Sequence, residues 1–472
     1  MTTLATLAAA PRWNLRWWHV AIIAFSILAA VWFSVETIMR QSGLARYRAV
    51  QARLKAEGRP VCLNDLWALA SPADRLVQES FKSWERSVVK SKDLFPNDFQ
   101  RWAAIVAGEQ PLAEADRASL ERARAEVETG CLLLRRGDLE LNNLSGLESD
   151  LPPGPLTVTD LYAFRGPTLL VMRGLAEHLR REAFLAEDPS QACADLDALH
   201  KALSRPVSLI DSMIVIACDH IRDRAMVELA QRQRLPRVWR DRWLAEESQC
   251  LAQVAAGYTG ERCMFVDACV NGLRQGGEDL AGKFLYPEQE APSVLQRLNG
   301  KMATWLTGYA DCAIMATTIS QIEDRLSGRS RAPIPEFSAI RKDLHSIGLI
   351  AMPNLLASSP FALEADAHQR LTRLAVRVIL LAEQGPLPAD GAELLRRLEN
   401  TKALDPGGDH LRLYYQRLAE DRFRLGVDPA SPIPDFDAPG HMPARCRLSG
   451  KPASKKPLVM DRCEMELALP AK

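Results

Sequence analysis

Cys193, Asp197 and His200 recur at i, i+4 and i+7, the spacing that puts three side chains on one face of a helix. Cys218, Asp219 and His220 follow on what the apolar pattern makes the next helix. Thiolate, imidazole and carboxylate suit a tetrahedral zinc site, provided the two faces meet. Positions two apart on a helix point roughly 200° apart, however, so Cys218 and His220 do not easily both aim inward. The plainer alternative makes Cys193 a small hydrophobe of the core and His200 a partly exposed polar residue.

A second group is acidic. Asp428, Asp435 and Asp437 fall in a loop with Pro432, Pro434, Pro439 and Gly440. Several carboxylates on one loop suit calcium, although the spacing is not that of an EF-hand and a solvated acidic loop explains it as well. No cofactor is expected from the sequence, with calcium on this loop the one candidate. Cys446 and Cys463 flank a short basic segment; in an oxidising compartment a bridge closing this loop of about 17 residues would contribute roughly 3 kcal/mol. Cys263 and Cys269 are a second possible pair. No CxxC occurs among the ten cysteines, which excludes the common zinc-finger and thioredoxin-like signatures.

Catalytic motifs are absent. Ser87-Val88-Val89-Lys90 matches Ser-x-x-Lys but lacks the Ser-Asp-Asn and Lys-Thr-Gly partners of a penicillin-binding-type site, and reads as a polar helix face. No Gly-x-Ser-x-Gly, His-Glu-x-x-His, Walker loop or dinucleotide fingerprint is present; Gly272 to Gly282 reads as a loop. Trp102, Trp239, Trp243 and Trp305 would line a groove or, more commonly at helical spacing, fill core. If the helical body holds an enzyme site, His200, Asp219 and Glu246 are the residues a pocket would have to gather.

The elements that must position these residues are helical. Lys and Arg number 59, matching 59 Asp and Glu, so no net field favours nucleic acid. Ala, Leu, Arg and Glu dominate, a mixture that favours helix over sheet. Between Arg16 and Glu36 an uncharged stretch of about 19 residues, Trp17 to Val35, matches the thickness of a bilayer's hydrocarbon layer. Trp13, Trp17, Trp18 and Trp32 stand near its ends, where indoles prefer the interface. The lipid bilayer is therefore the expected partner of residues 17–35, held by an uncleaved single-pass signal anchor. Arg40, Arg46, Arg48, Arg53, Lys55 and Arg59 follow the span, against Arg12 and Arg16 before it, which by the positive-inside rule favours a cytoplasmic body. An N-terminal anchor ahead of a large domain is the usual export arrangement, and on that ground the body is placed on the periplasmic side of a bacterial inner membrane.

The expected architecture is mainly α, with five parts: an N-terminal tail (1–16), an anchor helix continuing as a stalk (17–57), a helical subdomain (58–155), a central helical body (156–327) and a C-terminal helix plus small β module (328–472). Gly58 and Pro60 end the stalk. A clean amphipathic helix runs from Glu114 to Glu128. The central body reads as helical hairpins of solenoid-like packing, with a fully buried-looking Met213-Ile214-Val215-Ile216. Near the C-terminus Pro353 interrupts an apolar patch, a long helix starts at Pro360 and Gly385-Pro386 stops it. Leu411, Leu413 and Tyr415, then Phe423 and Leu425, alternate about a turn and predict a β-hairpin. Short strands are expected near Arg445–Leu448 and Glu464–Leu467.

The residues Glu383-Gln384-Gly385-Pro386-Leu387-Pro388, Asp405-Pro406, Tyr414-Tyr415, Phe423-Arg424-Leu425-Gly426 and the acidic Asp435-Phe436-Asp437 give this tail an order that resembles the C-terminal part of type II secretion pseudopilins. The resemblance covers about Pro360 to Gly440, and implies a calcium-binding use of the acidic loop. More broadly the chain is similar to uncharacterised bacterial proteins that pair an N-terminal anchor with a helical body and such a tail. No prepilin cleavage site accompanies it. The expected function is a membrane-tethered scaffold at the cell envelope that binds a protein partner. The alternatives are an envelope enzyme, hydrolase-like, with its site in the helical body, and an accessory component of a secretion or pilus-like assembly.

Overall fold

The computed structural model describes residues 17–69, 75–90, 99–106, 108–136, 139–141, 170–275, 294–345, 347–407, 410–428 and 464–469. Within these, the chain is mainly helical. In order, the helices are α1 (Trp17–Ala56), α2 (Leu63–Leu69), α3 (Arg75–Lys90), α4 (Phe99–Val106), α5 (Glu114–Leu134), α6 (Leu170–Leu185), α7 (Ser190–Ala202), α8 (Leu209–Gln231), α9 (Arg237–Ala245), α10 (Cys250–Glu261), α11 (Asp267–Arg274), α12 (Val294–Leu326), α13 (Phe337–Arg341), α14 (Ile347–Gln384) and α15 (Gly391–Arg397). A π-helical turn, Arg262–Val266, joins α10 to α11 without a break. The strands β1 (Leu413–Arg417), β2 (Arg422–Val427) and β3 (Glu464–Ala468) form one antiparallel sheet in the order β1-β2-β3.

Helix α1 changes character along its length. Ile22, Phe25, Leu28 and Phe33 are exposed, and the helix is long and apolar enough to cross a membrane. Past Gly43 the same helix becomes part of the core: Tyr47 and Leu54 are buried against α12. Gly43 permits the approach, since a Cβ there would lie 2.7 Å from the amide nitrogen of Ala310. The helix stops as its sequence predicts. Gly58 takes φ 72°, and the Arg59 amide donates to the Leu54 carbonyl (2.9 Å). The anchor helix thus continues past the span, and the continuing segment is packed, because its apolar positions recur at helical spacing and find α12 as a partner.

Helix α8 is the centre of the body. Its Leu209 joins a core cluster built by α1, α10, α11, α12 and the first half of α14. Its Ile214, Val215, Cys218 and Ile221 join a second, with α3, α5, α6 and α7. Its Met226 to Ala230 join a third, with α9, the second half of α14 and the sheet. These clusters run across the expected boundaries near 155 and 328. A solenoid packs each hairpin on its sequence neighbours; here α1 packs on α12 and α14 packs back on α8. The apolar run 213–216 also divides differently from expectation. Ile214 and Val215 are buried while Met213 is exposed, since a helix turns successive residues to different sides.

Helix α14 runs unbroken from Ile347 to Gln384 with Pro353 and Pro360 inside it. The expected break at these prolines does not occur. Each proline forfeits one backbone hydrogen bond, but Met352, Leu355, Leu356 and Ala362 are buried on either side of them, and burial of that face outweighs the local loss. The C-terminal hairpin forms as its alternation predicts. Tyr415 pairs with Leu425 and Arg417 with Phe423, and β3 adds through Leu425–Met465. Phe423 and Leu425 point into the cluster shared with α14. The strand expected near Arg445–Leu448 lies outside the described residues.

Candidate functional site

Around the middle of α8 the core is polar. Asp219, Arg222 and Asp223 are buried on this helix, beside His220. A run of charges at consecutive helical positions normally marks a solvated face; here α8 is covered by α6, α7, α10 and α14, so each charge must be met by a side chain.

His200, from α7, places its Nδ1 2.5 Å from Oδ1 of Asp219, and Gln369 of α14 donates to the other carboxylate oxygen at 3.2 Å. Burial alone would raise the Asp219 carboxyl, but His200 and then Arg222 outweigh it and hold it below the usual carboxylate range. Asp219 is thus an acceptor only, and the Nδ1–H of His200 donates to it. The His200 side chain is 15% exposed. A carboxylate that orients an imidazole in this way is the arrangement a general base requires.

The network continues outward. Arg222 donates to Glu246 at 2.6 Å, and Asp197 accepts from Arg242 (3.2 Å) and Lys201 (2.9 Å). Inward, the rings of His220 and His368 lie 4.0 Å apart across the α8–α14 contact. Burial pushes the His220 imidazole down to about 4, with Arg224 pushing the same way and Asp219 opposing. His368 is also pushed well down, by burial and then by His220 and Arg224. Asp223 accepts from the Trp243 indole at 2.9 Å, and burial pushes its carboxyl up to about 6 against the pull of Arg373 and Arg222.

The structure therefore joins His200 to Asp219 and ties Asp219 through Arg222 to Glu246, the three residues singled out for an enzyme site. It does not assemble the zinc set. Cys193 sits in the cluster of α14 and the sheet, its thiol pushed up to about 12 by burial, whereas Cys218 faces α6. Asp197 is taken by cations, and among the described residues no three or more of His, Cys, Asp and Glu are grouped to hold a metal. Cys218 and His220 are both largely buried nonetheless, because α8 has protein on both sides. Gln369, His368 and Asp223 were missed. Their signal was the polar run Asp366, His368, Gln369, Arg370 and Arg373 inside an otherwise apolar helix, which can only be buried against complementary charge.

The other candidates separate. Asp428 donates its amide to the Arg412 carbonyl (2.8 Å) at the end of β2, while Asp435, Asp437 and the pair Cys446 and Cys463 lie outside the described residues. Cys263 and Cys269 are free thiols rather than a bridge: Cys263 contacts the Pro60 carbonyl at 3.3 Å and Cys269 lies against Cys312. Ser87 donates to the Trp84 carbonyl within its own helix. Trp102 and Trp243 are core, Trp239 lies under Arg242, and Trp305 lies under Arg40, so the four line no common groove. A groove of about 750 Å³ opens between α5, α6 and α7, with the two-pronged Arg135–Asp195 pair (2.5 and 2.7 Å) in its wall.

Comparison of the chain with models of protein families, with curated proteins and with solved structures finds no match.

Proposed function

We propose that this chain is a single-pass, membrane-tethered helical scaffold that presents a protein-binding surface beside a bacterial inner membrane, with its body on the periplasmic side. The observation that carries the reading is the split character of α1: one continuous helix, exposed and apolar through Val35 and a core helix after Gly43. An anchor built this way holds the body at a defined height and orientation, which a flexible tether would not. The partner surface is the groove between α5, α6 and α7. Its rim carries Glu114, Glu121, Glu128 and Glu182 against Arg117 and Arg124, which suits a basic segment of a partner protein. The pseudopilin-like tail adds a class of partner, the subunits of a secretion or pilus-like assembly.

The test compares the full chain with a variant lacking residues 17–35. The full chain should resist alkaline extraction from membranes, and the shortened one should leave them while keeping its helical circular dichroism. Extraction of the full chain by alkali would sink the anchor. Purified secretion subunits should bind the full chain and lose affinity on Glu121→Lys with Glu128→Lys; equal binding would remove the groove from the reading.

The His200–Asp219–Gln369 arrangement favours a second reading, an envelope enzyme of hydrolase type that uses His200 as a base. A panel of ester and phosphoester substrates would show turnover that His200→Gln abolishes while the helical circular dichroism is kept; no turnover by the wild type on any member would count against it.

A further inference from the structure

Helices α1 and α12 run parallel. Trp305 donates to Glu36, the Arg40 guanidinium lies 3.6 Å from the Trp305 ring centre, Gly43 meets Ala310, Arg53 donates to Ser320 (3.0 Å) and Arg59 to Asp324 (2.9 Å). Each step along one helix is thus a step in the same direction along the other. The first turns of α12 consequently extend past Trp305 toward the apolar end of α1, by roughly 16 Å over 11 residues. They do not enclose that end, because no residue in the apolar window of α1 is buried.

Along this part of α12, apolar residues stand at positions 295, 298, 302, 305 and 309, a single stripe at alternating steps of three and four, and Gln296, Arg297, Asn299 and Lys301 fall between them. The stripe begins inside the protein and leaves it: Tyr309 is 4% exposed and Met302 is 45% exposed. Where it leaves, a tryptophan and an arginine are stacked at the level at which α1 emerges from the body. An amphipathic helix with a basic polar side, meeting a membrane span at an indole, has the make-up of an element lying in the headgroup layer.

We propose that the first turns of α12, Val294–Trp305, are a second membrane contact, entering the headgroup layer of the same bilayer beside the span with Met302 against the acyl boundary. The inference rests on the anchor reading of α1. The body then stands on two feet, and its rotation about the α1 axis is restricted as well as its height.

The test places the photo-crosslinker p-benzoylphenylalanine at Met302 of the full chain, in nanodiscs of phosphatidylethanolamine and phosphatidylglycerol carrying a radiolabelled phospholipid. Leu28, in the span, and Leu132, exposed on α5, take the same substitution as references. The proposal expects a lipid adduct at Met302 comparable in yield to that at Leu28, and none at Leu132. An adduct at Leu28 without one at Met302 overturns the second contact and leaves the anchor standing. A chain-to-chain adduct at Met302 in place of lipid overturns it too, assigning the stripe to a second copy. No lipid adduct at either position overturns the anchor reading along with it.

Discussion

Replacing His220 with glutamine removes one of the two imidazoles in contact between α8 and α14 and changes how stability depends on pH. His220 is held neutral in the folded protein, down to about 4, whereas in an unfolded chain it titrates near 6.5. The unfolded state therefore binds the extra proton first. The stability that His220 supplies is complete above the unfolded value and is lost as pH falls through the window between the two. At about pH 5 the loss from this group alone is about 2 kcal/mol relative to neutral pH. His368 adds to it in the same direction, since it too is held neutral and is pushed further down by His220. Asp223 works against both. Its carboxyl is raised to about 6, so the folded state holds a proton there that the unfolded state has lost, and stability falls as pH rises toward 6. Comparing His220→Gln with the wild type cancels the Asp223 contribution. The variant should be less stable at neutral pH by about 1 kcal/mol of lost packing and gain on the wild type by about 2 kcal/mol on going to about pH 5. Urea denaturation of the full chain in detergent, followed by far-UV circular dichroism at each pH, measures the difference. A constant difference across the range would mean that His220 charges as freely in the folded state as in the unfolded one, and the reasoning about the buried imidazole pair would be wrong.

Glu323 is wholly buried and accepts from Arg59 and from Arg262 (3.0 Å); Glu323→Leu leaves the buried Arg262 guanidinium without its carboxylate and Arg59 with Asp324 in place of both, and should lower stability by about 3–5 kcal/mol, read as a fall in the urea midpoint. A Cβ at Gly260 would lie 1.5 Å from the Val207 carbonyl oxygen; Gly260→Ala should push α10 off the start of α8 and cost about 1–3 kcal/mol, and an unchanged midpoint would refute that contact. Among the described cysteines Cys62 is the one not buried, so iodoacetamide should label it in the native protein before Cys193, Cys218 and Cys312, whose thiols are buried and pushed upward; peptide mapping gives the order.

Much of the local structure was legible in the residue order. The uncharged stretch after Arg16, the stop at Gly58, the α5 face of Leu120, Ala123 and Val127, and the alternation of Leu413, Tyr415, Phe423 and Leu425 each appear where their spacing put them. These signals act over a few residues, and the physics that reads them is equally local: hydrogen bonds within a helix, and a side-chain period of about 3.6 or 2.

Other features had no local cause. Pro353 and Pro360 predict a break by every short-range rule, and α14 passes through them because α8 and α12 bury its face. The stretch after the anchor looked like a stalk because α12, its partner, lies some 270 residues away. The same holds at the candidate site. His200 and Asp219 could be singled out by type, but Gln369 reaches Asp219 from 150 residues further on, and His220 meets His368 only because α14 returns to α8. Periodicity shows which side of a helix wants to be buried, and by itself the sequence determined that much for this protein. Which side chain meets a buried charge depends on which helices become neighbours, and only the tertiary packing around α8 decided it.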